Sequence, residues 1–185
     1  HLCSAGMKPP ELLIDAKTVR LLLDYDKYSG AFSWLPRDRS MFADNRQFNT
    51  WNSRFAHARA GHQRADGYVC IRVLTGSFLA HRLAWLHTFG HWPTAEVDHI
   101  NGNPIDNRIE NLRDVSHKMN GQNVRKPSAA STTKVLGVYQ RPSGRFAASI
   151  HVDGRGKAIG LFGSPEEAHE AYVKAKRALH PGNTL

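Results

Sequence analysis

The stretch that most constrains this chain lies between Glu96 and Asn123, where strand, turn, strand and helix signals follow one another within about thirty residues. Glu96–Ile100 is strand-like. Asn101-Gly102-Asn103-Pro104 is a turn, because Asn, Gly and Pro each favour the dihedrals that reverse a chain. Leu112–Val115 can then pair back as a second short strand. Ser116 is a good N-cap, since its hydroxyl can accept from the first free amides of a helix ending near Asn123. A segment this short can bury little by itself, so the rest of the chain must supply the core.

Around it the signals are plainer. Apolar positions at Leu12, Leu13, Val19, Leu22 and Leu23 suit a helix over residues 11–27. His1–Gly6 read poorly as structure, and Met7 reads as the natural start. Ala31–Leu35 reads as a short strand. Residues 36–66 are polar, rich in Arg and Asn and poorly periodic, and read as loop. Gly67–Leu74 and Ser77–Ala80 are strands joined at Thr75-Gly76. His81–Gly90 is a helix stopped by Gly90 and Pro93. Pro127–Thr133, small and polar, reads as a linker. Three strand candidates follow, Val135–Gln140, Arg145–Val152 and Lys157–Phe162. Ser164-Pro165-Glu166-Glu167 is then a capping box opening a helix. Ala168, Ala171, Tyr172, Ala175 and Leu179 line one face of that helix and can cover the sheet.

The net charge of +9 bears on the partner rather than on the fold. A basic chain gains free energy from nucleic acid by releasing condensed counterions. From His117 onward, eleven Lys and Arg stand against four acidic residues, which is +7 of the +9. Two cysteines, Cys3 and Cys70, supply no disulfide framework and no thiolate zinc site. A reducing, intracellular setting is the simpler expectation, and no apolar run is long enough to span a bilayer.

The chemistry-bearing residues are Asp98, His99, Asn111 and Asn120. Phosphodiester hydrolysis needs an activated water and relief of charge on the phosphate and the leaving oxygen. A neutral histidine can take the water's proton, provided a partner holds it in one tautomer. Carboxylate and amide oxygens suit a hard divalent ion that keeps several waters. His99 is therefore expected as general base, Asn111 as its orienter, and Asp98 with Asn120 as ligands of one divalent ion. Mg²⁺ is the expected ion, with Mn²⁺ able to substitute and no structural zinc. By residue type alone, a structural loop with Asx caps remains the alternative. Asn101, Asn103 and Asn107 read as turn formers.

His81-Arg82-Leu83-Ala84-Trp85, Asp98-His99-Ile100-Asn101-Gly102-Asn103, Asn107-Arg108, Glu110-Asn111-Leu112-Arg113 and Asn120 resemble the HNH endonucleases of phages and intron-encoded homing enzymes. The resemblance covers roughly residues 81–123. It implies a ββα-metal motif that binds one divalent ion and cuts DNA, with His99 as base, Asn111 as the middle Asn, and Asp98 and Asn120 on the metal. Leu23-Asp24-Tyr25-Asp26 through Gly30-Ala31-Phe32-Ser33-Trp34 resembles the leader of phage HNH proteins. His81 keeps two readings, one near the substrate phosphate and one as a buried or capping histidine.

Leu136-Gly137-Val138-Tyr139, Gly144–Ile150, Ile159–Phe162 and Pro165–Tyr172 resemble the DNA-binding domain of plant APETALA and ethylene-response factors. That resemblance implies a three-stranded sheet lying in the major groove, with Phe146 where the family often has Trp. Tyr139, Arg141, Arg145, Ser149, His151 and Lys157 can share the open face of such a sheet. A one-residue shift of register would exchange that set for its neighbours. Arg125 and Lys126 are placed to track the DNA backbone. The alternative is the solvated face of a small stabilising domain.

Together these readings give an α+β fold, a ββα-metal nuclease core followed by a small three-stranded antiparallel sheet with one helix. The expected boundaries are 7–126 for the nuclease domain with its leader, 127–133 for the linker and 134–185 for the DNA-binding domain. The expected activity is metal-dependent cleavage of double-stranded DNA by a site-directed nuclease or nickase of phage or homing type, in the cytoplasm and on DNA. The competing reading is a DNA-binding accessory protein with an inactive motif. An RNA-directed protein fits less well, since the aromatic motifs for single-stranded RNA are missing.

Overall fold

The computed structural model describes residues 14–74 and 76–185. The readings made on His1–Gly6, Cys3, Met7, Leu12, Leu13 and Thr75 lie outside the described residues. The chain is mixed α and β with small antiparallel sheets, and it divides into two compact units, the first ending at Asp114 and the second spanning Val115–Leu185. That division falls well before Pro127–Thr133, the expected linker, which sits inside the second unit.

In the first unit, α1 (Ala16–Leu22) is opened by Asp15, whose carboxylate accepts from the Thr18 amide at 2.8 Å. The helix stops sooner than its apolar spacing suggests. Leu23–Asp26 alternates buried and exposed and forms β1, which pairs antiparallel with β2 (Ala31–Trp34), Leu23 opposite Trp34 and Asp26 opposite Ala31. Three consecutive leucines at 21–23 satisfy both periods, and pairing with β2 decides between them. Residues 36–66, read as loop, contain α2 (Asn45–Phe55) and the short β3 (His62–Gln63). β3, β4 (Val69–Val73) and β5 (Gly76–Leu79) form one antiparallel sheet. α3 (Ala80–Phe89) follows and ends at Gly90, whose φ of 82° is open to glycine at little cost. β6 (Glu96–His99) and β7 (Leu112–Val115) pair as a two-stranded sheet. One core draws all these pieces together: Val19, Leu22 and Leu23 meet Phe32, Ile71, Val73, Leu83, Leu86, Val97 and Leu112. Cys70 is buried and forms no disulfide among the described residues.

The second unit opens with α4 (His117–Gln122), capped by Ser116, whose hydroxyl accepts from the Met119 amide at 3.3 Å. A three-stranded antiparallel sheet runs in the order β10 (Arg155–Phe162), β9 (Phe146–Val152), β8 (Val138–Gln140). α5 (Pro165–Leu179) begins with the expected capping box, the Glu167 amide donating to Ser164 Oγ at 3.2 Å and Glu167 Oε2 accepting from the Gly163 amide at 3.1 Å. Val138, Ala148, Ile150, Ala168 and Tyr172 form the core of this unit. Gly137, at φ 75°, lies against the Tyr172 ring so closely that a Cβ there would collide with it. The C-terminal tail is tied back to the start of the unit: Gly182 N donates to Gln122 Oε1 at 2.9 Å, and Thr184 bonds both Asn123 and Arg125.

Candidate active site

β6 carries Val97, Asp98 and His99 into burial together. Alternation sends Asp98 and His99 to opposite sides of the strand, and each finds its own partner. Asp98 Oδ2 accepts from Arg113 Nε at 2.9 Å and Nη2 at 2.7 Å, a charge-assisted pair across the β6–β7 hairpin. The His99 ring is 5 % exposed, and its Nε2 lies 3.1 Å from Asn107 Oδ1. With the amide oxygen accepting from Nε2–H, the neutral ring carries its lone pair on Nδ1. Burial pushes the His99 pKa below the usual range, while Asn107, Asp98 and Asp106 pull the other way. The result is an imidazole that is neutral near pH 7.

The expected orienter of His99 was Asn111, and that contact is not made. Asn111 is also buried, and its amide fastens the turn between the strands: Oδ1 accepts from Asn101 N at 2.9 Å, and Nδ2 donates to Asn101 Oδ1 at 3.0 Å and to Asp106 O at 2.8 Å. The turn between β6 and β7 places Asn107, read as a turn former, against the His99 ring. Asn107 is 2 % exposed. Its own carbonyl accepts from Tyr25 Oη at 2.7 Å, and a Cβ on Gly30 would overlap the Asn107–Arg108 backbone at 2.5 Å. The β1–β2 hairpin thus holds the loop that holds the His99 ring, a contact the sequence did not reveal. Asp106 completes the fastening, bound by Arg108 at 2.8 Å and Asn101 at 2.7 Å, and the Arg108 guanidinium draws its carboxyl down to about 2.

His81 is the buried histidine of its two readings, at 5 % exposure. Its ring stands edge-on to His99 with centroids 4.9 Å apart, and Tyr68 touches both rings. Burial first, then the neighbouring His99 and Arg82, lower its pKa to about 3, so it stays neutral. Its Nδ1 is buried with no hydrogen-bond partner. Asn120 lies on α4 in the second unit, its amide N bonded to Ser116 O at 2.9 Å.

Within the second unit the pairing fixes which side chains share the open face of the sheet. Phe146, Ala148, Ile150 and Val152 turn toward α5. Phe146 is partly buried and packs against the core of this unit. Lys157 pairs with Ile150 across β10 and β9, so it too belongs to the face that α5 covers, although its side chain is exposed. Tyr139 pairs with Ala147, and by alternation Tyr139, Arg141, Arg145, Ser149 and His151 share the open face. The Arg141 guanidinium lies over the Tyr139 ring at 5.4 Å. Ser149 and His151 line a cleft of about 830 Å³ together with Lys118 and Gln122 of α4. Arg125 is half-buried and donates to Thr184, whereas Lys126 is exposed.

A divalent ion would find hard oxygen donors here but few of them. Among the described residues no three His, Cys, Asp or Glu side chains converge to hold a metal. Carboxylate and amide oxygens are the donor types that suit Mg²⁺.

Residues 78–122 match the model of a family described as HNH endonuclease. The match runs from β5 to the end of α4 and takes in Asp98, His99, Asn107, Asn111 and Asn120, so this segment is similar to the HNH endonuclease family. No curated protein and no solved structure matches the chain. No helix among the described residues is long and apolar enough to cross a membrane.

Proposed function

We propose that the protein is a divalent-metal-dependent DNA endonuclease in which His99 is the general base. The observation that supports this most is the buried, neutral His99 ring held by Asn107 inside the segment matched to the nuclease family. Asn107 fixes the tautomer, so Nδ1 is the nitrogen that takes a proton from the attacking water. Asp98 and Asn120 are the ion's ligands, as the motif order implies. When bound, the ion supplies charge relief at the phosphate. Arg113 lies against Asp98 and holds its carboxylate in one orientation.

The proposal extends to a site-directed enzyme or nickase of phage or homing type, with the second unit as its DNA anchor. The open face bearing Tyr139, Arg141, Arg145, Ser149 and His151, with Lys126, supports that role through charge and residue type.

A second reading, a DNA-binding accessory protein with a silent motif, is favoured by the Arg113 guanidinium, which already neutralises Asp98. Incubation of supercoiled plasmid with Mg²⁺ or Mn²⁺, with an EDTA control, separates the two. Metal-dependent nicked or linear product supports the nuclease. Retarded but intact DNA in every metal, including DNA from the source genome, supports the accessory protein.

A further inference from the structure

The catalytic reading leaves α2 and its surroundings unused. From Asn45 to Arg64 the chain carries Arg46, Arg54, Arg59 and Arg64 and no Asp or Glu. The apolar residues of α2 fall at Phe48, Trp51 and Phe55, on one side of the helix. That side is tied inward. Trp51 meets Trp34 at 6.0 Å, Phe42 at 6.2 Å and Phe55 at 5.5 Å between ring centroids. The Arg37 guanidinium covers Trp51 at 3.9 Å, and Asn52 exchanges two hydrogen bonds with the Arg37 backbone at 2.9 and 3.0 Å. The opposite side presents Arg46, Asn49, Thr50, Ser53 and Arg54, all exposed. Neither Arg46 nor Arg54 makes an ion pair among the described residues, and Arg54 touches only the Phe55 ring, at 5.1 Å.

We infer that α2 is a second DNA-contacting element, whose exposed side enters the major groove of the same duplex. The inference rests on the reading of duplex DNA as substrate. Charge complementarity supports it, because a positive helix face with no carboxylate meets a polyanion. Residue type supports it too, since Arg and Asn are the side chains that form paired hydrogen bonds with guanine and adenine edges. A helix with its side chains is about 10–12 Å across, which fits a groove about 12 Å wide. A membrane surface would require the apolar side to face outward, and here it faces inward. Single strands would require aromatic rings free to stack on bases, and these rings pack against one another, edge-on or tilted.

The test uses the full chain with EDTA present, so that binding is read without cleavage. Binding of a random-sequence duplex is titrated across a salt series for wild type, Arg46→Ala/Arg54→Ala and Arg46→Lys/Arg54→Lys. The alanine pair should weaken binding about tenfold or more and reduce the slope of log affinity against log salt by about two, as loss of two phosphate contacts requires. The lysine pair should keep the slope, which separates lost charge from lost folding. Asn49→Ala should relax base preference in a duplex selection while leaving the slope unchanged. Unchanged affinity and slope in the alanine pair would overturn the inference. So would an absence of duplex binding by wild type, or a loss confined to anionic phospholipid vesicles or to single strands. A protein that fails to cleave in any metal, yet loses duplex affinity in the alanine pair, sinks the nuclease reading and leaves this one standing.

Discussion

The two units hold their candidate functional surfaces by opposite means. In the first, the turn between β6 and β7 is fixed by polar contacts: Asn101, Asn107 and Asn111 bond one another's loop or the His99 ring, and Asp106 is pinned by Arg108. In the second, the sheet face that bears Arg141 and Arg145 is fixed from behind, by Val138, Ala148, Ile150, Ala168 and Tyr172. Hydrogen bonds are directional, so a polar cage sets one tautomer and one ring angle. Apolar burial is non-directional and keeps a face in place without defining each side chain on it. Changes in the first unit should therefore register in rate, and changes in the second mainly in stability.

The largest effect expected from this contrast is at Asn107. Asn107→Ala should forfeit much of the about 10²–10⁴-fold that positioned proton transfer contributes, with duplex affinity in EDTA unchanged. Single-turnover cleavage beside a gel shift reads both. An unaltered rate would mean that the cage does not serve the base. Ile150→Ala should cost the protein about 2–4 kcal/mol of stability and should be visible in urea unfolding. A cost below about 1 kcal/mol, the scale of a mere surface change, would break the contrast from the other side.

How much of this was legible in the sequence follows the same division. Signals local to one element were read well, among them the β6–β7 strands, the Ser116 cap and the Ser164 capping box. α2 was missed because its three inward rings are spaced among polar residues and none is fully buried, so the apolar stripe is thin. β1 was missed because Leu21, Leu22 and Leu23 fit a helix as well as a strand, and only pairing with β2 settles the matter. Asn107 was read as a turn former, which it also is. Its contact with His99 depends on Tyr25 and Gly30, about eighty residues upstream, and no local pattern carries that. Lys157 was assigned to the face of His151, but the β9–β10 turn sets Gly156 opposite His151 and Lys157 opposite Ile150, and strand period alone does not fix that register.

A smaller expected effect concerns acid. His81 has a folded pKa of about 3, well below that of the unfolded chain. Between those values the unfolded state binds the extra proton, so stability rises with pH in that window and falls as pH drops below about 6.5. Above it His81 contributes no pH dependence. His81→Leu should flatten the fall between pH 6.5 and 4 in denaturant midpoints, and an equally steep fall would remove His81 as its cause. Smallest of all, Tyr25→Phe removes one buried hydrogen bond to Asn107 O and should cost about 1 kcal/mol. A loss of cleavage rate out of proportion to that would show the leader acting on the base and not only on the fold.

The central claim is that His99 takes the proton, and single-turnover cleavage of supercoiled plasmid by wild type and His99→Ala tests it directly. With Mg²⁺ present, the account predicts that His99→Ala loses about 10²–10⁴-fold in rate while retarding the same DNA in EDTA. Cleavage by His99→Ala at the wild-type rate, abolished by EDTA in both proteins, would contradict it.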